Sequence, residues 1–381
     1  MVEHGDSGHS DSPGWPHDGA LPAYGCGTVP DFDRLPPFAT EIFIPPHHTA
    51  DRGVNHPGPE TVAYRCRMPS APNLSDLMRL PLMGLDLAGG AVEGAVSGAR
   101  RTVAVQMRRM VVGDTPVRDI SLPLKGDPGL FGPDSVTWRV HADSSMFVGG
   151  VRALLLQTMH PRVMAGVADH SAYRSDPLGR LTRTAGYVGL TTYGTTEQAD
   201  EVIAMVRRVH TTVVGTTPAG DPYEANDPHL MLWVHNALVD SFLRTYQRYG
   251  AAPLTRDEAD TYVAEMAVLA TRLGCEPSPT SVDGLRQYFA DIRNELGAGR
   301  QARDAARWLL APPLPLAVRP AYAVITGAAI GLLPGWVRRQ LWLPLAPGVD
   351  PVVVRPATTA LLRTMDWVMA GHPPPQEAAA S

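Results

Sequence analysis

Between Glu197 and Val214 the apolar residues Val202, Ile203, Val206, Val209 and Val213 recur at three- and four-residue spacing. That period draws a single stripe along a helix. Glu201, Arg207 and Arg208 fall elsewhere around the wheel. Thr195 followed three residues on by Gln198 forms a capping box at the start, and Gly215 is the expected stop. The same grammar continues downstream. Asp227-Pro228 opens a helix that should run to about Gly250, because aspartate caps and proline suits the first helical position. Thr255 with Glu258 is a second capping box, closed by Gly274. Helical patterns follow at 280–296, 300–311, 318–333 and 351–370, the last with an expected kink at Pro356.

Upstream, Asp176-Pro177 opens a helix towards Gly194, and the stretches 74–110 and 145–170 are helical in pattern. Pro161 interrupts the second of these, since proline lacks the amide that a continuous helix needs. Alternating strand patterns are nearly absent, so the fold class is all-α: one multi-helix domain. The expected boundaries are a disordered tail at 1–35, an extended proline-rich arm at 36–75, the helical domain at 76–370 and a loose tail at 371–381.

Composition narrows the picture. With 44% hydrophobic and 19% charged residues the chain can bury a sizeable core. A net charge of -5 gives no basic footprint for nucleic acid. Cys26, Cys66 and Cys275 are far apart and form neither a CxxC pair nor a zinc spacing, which fits a reducing compartment. The opening residues MVEHGDSGHSD lack the features of a secretory signal, so the expectation is a cytoplasmic protein. The longest apolar run, 321–333, is too short to span a bilayer. It reads as a buried core helix, with a helix on a membrane surface as the alternative, leaving peripheral membrane contact open.

Four groups could carry chemistry. His210 lies beside the valine stripe, and an imidazole there is either a hydrogen-bonded core residue or an axial ligand to iron. Arg180, Arg183, Thr184 and Tyr187 share one helical face, either solvated or suited to an anion or a small ligand. His160 sits at the break before Pro161, with His170 one short helix later, where it would serve as a cap. His235 lies in the apolar stripe Leu232, His235, Val239, Phe242, where core packing with one hydrogen bond competes with a pocket-facing role. No HExxH, GxSxG or phosphate-binding glycine loop is present, and these histidines show no two-histidine-one-carboxylate grouping.

The run from Gln157 to Thr184, QTMHPRVMAGVADHSAYRSDPLGRLTRT, resembles the signature of the MpaB-type oxygenase family, which includes the rubber oxygenase latex clearing protein. The similarity extends through MVRRVH, ending at His210, and WVHNALVDSF from Trp233, and more loosely to LLPGWVRRQL, covering about residues 130–350. The resemblance implies an all-helical fold with globin-like packing and, as in rubber-cleaving members, a b-type haem. His210 matches the proximal histidine, and Arg180 and Thr184 match polar residues near that haem. Arg183 stands where those members carry a distal lysine; a guanidinium has no lone pair to offer iron, so the distal position is expected to be open or water-filled. The rubber oxygenases' catalytic glutamate has no clear counterpart, which points to a substrate other than polyisoprene.

The expectation is a haem-dependent oxygenase or related oxidoreductase acting on a lipid- or isoprenoid-like molecule with O2 or peroxide. His210 would be the metal ligand, Arg180, Thr184, His160 and His235 would contact the cofactor, and Arg180, Arg183 and Thr184 would assist catalysis. Leu190, Val206 and Leu238 would line the substrate space. The alternatives are a non-catalytic helical carrier for lipid or isoprenoid, and a non-haem metal enzyme built on His160, His170 and His235.

Overall fold

The computed structural model describes residues 127–171, 174, 177–314, 316, 318–344 and 350–369; for 177–182, 350–351 and 368–369 it describes the backbone alone. The tail at 1–35, the arm at 36–75, the helical stretch at 74–110 and the tail at 371–381 lie outside the described residues.

Among the described residues twelve α-helices run in chain order: α1 (Val136–Ala142), α2 (Met146–Gln157), α3 (Pro161–His170), α4 (Pro177–Tyr193), α5 (Thr196–His210), α6 (Pro228–Tyr249), α7 (Arg256–Leu273), α8 (Val282–Asp291), α9 (Arg300–Leu310), α10 (Arg319–Leu332), α11 (Gly335–Gln340) and α12 (Arg355–Met369). Among the described residues the only sheet is an antiparallel hairpin between α5 and α6, β1 (Val214–Thr216) paired with β2 (Pro222–Glu224). The all-α reading holds.

Several helix ends expected from local sequence have physical counterparts. Both capping boxes form, Thr195 with Gln198 and Thr255 with Glu258. The Asp227 side chain accepts from the His229 amide with Pro228 in the first turn, and Gly250 caps the far end of α6. Gly274 ends α7 at φ 81°, the left-handed conformation that glycine adopts without a Cβ clash. Pro161 starts α3, with His160 as its extended N-cap.

Three expectations shift. Helix α5 ends at His210, not at Gly215, which instead lies in β1 under the Tyr223 ring; a Cβ there would come within 2.6 Å of Tyr223 Oη. The stretch 280–296 divides into α8 and a 3-10 turn, Ile292–Glu295. At Pro356 the helical stretch changes character: a π-helical turn, Asp350–Val354, leads directly into α12, which begins at Arg355 with the proline in its first turn.

Helix α6 stands between two cores. Trp233 and Ala237 face one, with Val148, Leu155 and Leu156 of α2, Ala302 and Ala306 of α9, Ala328 and Ala329 of α10 and Leu362 of α12. Val239, Phe242 and Tyr246 face the other, with Val140 of α1, Ile203 of α5, Tyr262, Val263 and Met266 of α7 and Leu285 of α8. The alanines of α9 and α10 let backbones approach closely in the first core. In the apolar run at 321–333, Ala328, Ala329 and Leu333 enter the first core while most of the other residues are half-buried, and no helix of the described residues is long and apolar enough to cross a membrane.

One ion pair is sealed between α2 and α6. Arg152, wholly buried, reaches Asp240 at 2.8 Å, donates to Ser241 Oγ at 2.7 Å and donates to the Leu332 carbonyl at 3.1 Å. Its guanidinium therefore ties α2, α6 and α10 together. Beside it, α2 and α6 touch at Gly149, where a Cβ would lie 2.6 Å from the Phe242 ring. The packing that fixes α6 also fixes the side chains it sends towards α3, α4 and α5.

Candidate active site

Helices α1 to α7 and the hairpin line a cavity of about 730 Å³, within the usual range for small-molecule sites. Its walls are mainly apolar: Val163 and Met164 from α3, Val206 and Val209 from α5, Met231, Val234 and Leu238 from α6, and Met266 and Leu269 from α7. Four imidazoles border it, His141, His170, His210 and His235, each from a different helix.

His210 is the last residue of α5, at the end of the stripe that seats Val202 and Ile203 in the interior. Its Nδ1 is buried with no partner at bonding geometry. Burial lowers its pKa, opposed by the Ala225 backbone. His235, 6% exposed, projects from the middle of α6. Burial pushes its pKa down to about 4 against the opposing Met266 backbone, and its Nε2 is buried without a partner. Tyr187 on α4 also lines the cavity; its hydroxyl is buried and unpartnered, and burial raises its pKa. Three lining residues, each from a different helix, thus carry an unsatisfied buried polar atom. Each such atom costs roughly 1–3 kcal/mol when nothing answers it.

The other two imidazoles are satisfied. His141 Nδ1 meets Thr192 Oγ1 at 2.8 Å and its Nε2 meets the Tyr262 hydroxyl at 3.1 Å. Burial takes its pKa down to about 3. His170 Nε2 meets the Val214 carbonyl at 3.1 Å, so it ties α3 to the hairpin, while Ser171 serves as the C-cap of α3. The hairpin is held again by Tyr223, whose hydroxyl donates to Asp169 at 2.6 Å. Burial and that carboxylate push the phenol up to about 12.

Of the residues singled out from sequence, Arg183, Thr184, Tyr187, His210 and His235 come together around the cavity, with Val206 and Leu238 among its apolar walls. Leu190 is not among the lining residues. Arg180 belongs to α4, one turn before Thr184, and its side chain is outside the description. His160 is also absent from the lining. It lies beside Trp233, 6.4 Å between ring centroids, and groups with His229 and Glu295. His141 had no sequence signal, because no apolar period marks the seven-residue α1; the Ser135 cap was the one available hint.

The site fits a group that takes an imidazole ligand. Neutral imidazole presents a lone pair, and burial keeps His210 and His235 neutral at ordinary pH. Arg162, Arg183 and Glu224 are the charged residues of the lining, and the two guanidiniums suit an anionic substituent.

No curated protein and no solved structure matched this chain. A family match covers most of the helical region, from α1 to the last turn of α12. Residues 138–368 match the family described as ER-bound oxygenase mpaB/B'/Rubber oxygenase, catalytic domain, and the chain belongs to that family.

Proposed function

We propose that this protein is a haem-dependent oxygenase acting on an apolar, lipid- or isoprenoid-like molecule, with the iron of haem b held by His210. One observation carries the reading: His210, His235 and Tyr187 line a single largely apolar cavity, and each carries a buried polar atom, Nδ1, Nε2 and Oη in turn, without a partner. Membership of an oxygenase family supplies the reaction class.

Haem, when bound, supplies dioxygen binding and activation at iron. The chain's own residues do the rest. His210 offers a neutral ring from the end of a rigid helix, with the Ala225 backbone beside it to orient it. Arg183 gives a positive charge for a propionate or for negative charge developing on the substrate. Arg180 and Thr184 have the roles that the family pattern suggests, anion pairing and proton or water relay. Tyr187 keeps its proton and can donate it as a hydrogen bond, while His235 can accept at one nitrogen and donate at the other. Val206, Leu238 and Met231 exclude water and select an apolar substrate.

Haemin titration tests this. Wild-type protein should bind about one haem per chain, and His210→Ala should weaken binding by about tenfold or more while keeping its helical circular dichroism. Equal haemin affinity in both proteins would remove His210 from the role. Colourless protein that refuses haemin and carries extractable lipid supports the carrier reading instead.

A further inference from the structure

Outside that cavity, three side chains distant in sequence converge. His160 caps the start of α3, His229 lies in the first turn of α6, and Glu295 ends the 3-10 turn after α8. One ligand atom from each lies within 4.8 Å of the others. We propose that His160, His229 and Glu295 form a site for a divalent transition-metal ion, separate from the haem cavity, that pins the starts of α3 and α6 to the turn following α8.

The chemistry of the set favours a metal over a proton. His229 alone has a metal-free explanation: its Nε2 is 2.9 Å from Glu295 and its Nδ1 is 3.3 Å from Glu276, so a protonated ring could bridge two carboxylates. His160 has none. It is 3% exposed, both ring nitrogens are buried without a hydrogen bond, and Glu295 stands 3.6 Å from its Nε2, too far for a good one. A buried imidazole with two silent nitrogens, aimed at a carboxylate already shared with a second imidazole, lacks a central partner.

A divalent ion supplies that partner. Two imidazoles and a carboxylate form the nitrogen–oxygen set that suits zinc or ferrous iron. Glu276 on the far nitrogen of His229 reproduces the carboxylate–histidine–metal arrangement, which fixes the ring and strengthens it as a ligand. Both rings stand at helix N-termini, where the dipole disfavours an extra cation; the two carboxylates offset that. Glu295 and His229 are 48% and 32% exposed at the side chain, so the site opens to solvent on the side an ion would enter.

The position gives the role. None of the three residues lines the cavity, but Arg162 and Val163 follow His160, and Leu230 and Met231 follow His229, and all four line it. An ion at the cluster would hold two walls of the cavity at their roots. The Gly297 amide already donates to the Met159 carbonyl at 2.7 Å across the same junction.

Zinc is the probe, with untagged full-length protein, gel filtration after loading, and elemental analysis of zinc and iron together. The expected result is about one zinc retained per chain, with Glu295→Gln and His229→Ala each lowering affinity by about tenfold or more and abolishing the zinc-dependent rise in Tm. His210→Ala should keep its zinc while losing haem, which separates this proposal from the oxygenase reading. Glu295→Gln changes a half-exposed side chain by one atom, so it should fold even if His229→Ala does not. Wild-type protein that retains no zinc, or a Glu295→Gln variant that binds as tightly as wild type, overturns the site. Histidines near the N-terminus would hold zinc in all variants alike and so would give the second of these outcomes.

Discussion

His210, closing α5, and His235, midway along α6, border the same cavity, and each has one ring nitrogen buried without a hydrogen-bond partner. The two rings are not equivalent. His210 is the proposed iron ligand at the end of its helix, and His235 is the more deeply enclosed, with the Met266 backbone beside it.

Replacing each ring should therefore have opposite consequences. His210→Ala should remove bound haem. His235→Leu should leave haem in place and raise the Tm of the haem-free protein, because an unanswered buried nitrogen worth roughly 1–3 kcal/mol is lost. Parallel haem quantification and thermal melts of the two variants decide it; loss of haem from both would make them joint ligands.

The Arg152–Asp240 pair is a second target. Asp240→Ala strands a fully buried guanidinium between α2 and α6 and should cost about 3–5 kcal/mol by urea denaturation. Replacing both, Arg152→Met with Asp240→Leu, should cost less than Asp240→Ala alone. A single-variant loss under about 1 kcal/mol would mean water reaches the pair.

Neighbouring glycines in α2 offer a sign test. Alanine is a better helix former than glycine by about 1 kcal/mol. Gly150→Ala has no atom within 4 Å of the new Cβ and should gain stability. Gly149→Ala would press its Cβ to 2.6 Å from Phe242 and 2.8 Å from Thr245 Oγ1, so overpacking should outweigh the propensity gain. Denaturation midpoints should move in opposite directions.

Acid should weaken the haem-free protein early. His235 and His141 have folded pKa values of about 4 and about 3, and His210 is also lowered, all by burial. The unfolded chain binds protons at these rings near the ordinary histidine value, about 6.5. Below that pH the unfolded state holds more protons, so stability falls as pH drops, and the loss continues until the folded values are reached. Unfolding free energy measured from pH 7 to pH 5, before most carboxylates titrate, should decline steadily; a flat profile would show the rings already charged in the native state.

Helix boundaries were legible where local chemistry writes them: the caps at Thr195, Asp227 and Thr255, the stop at Gly274 and the break at Pro161. The valine stripe that carries His210 was equally plain. Contacts made by tertiary convergence were not. His141 lies on a helix too short to show a period, and Gly215 looked like a stop because its reason, the Tyr223 ring, is on the next strand. The grouping of His160 with His229 and Glu295 joins three local breaks, at a helix N-cap, a first turn and a 3-10 turn, that no spacing rule connects.

The absorption spectrum of the purified protein, oxidised and then reduced, tests the central claim most directly. The account predicts a Soret band corresponding to about one haem per chain, shifted on reduction and missing from His210→Ala. A wild-type protein without that band, even after incubation with haemin, would contradict it.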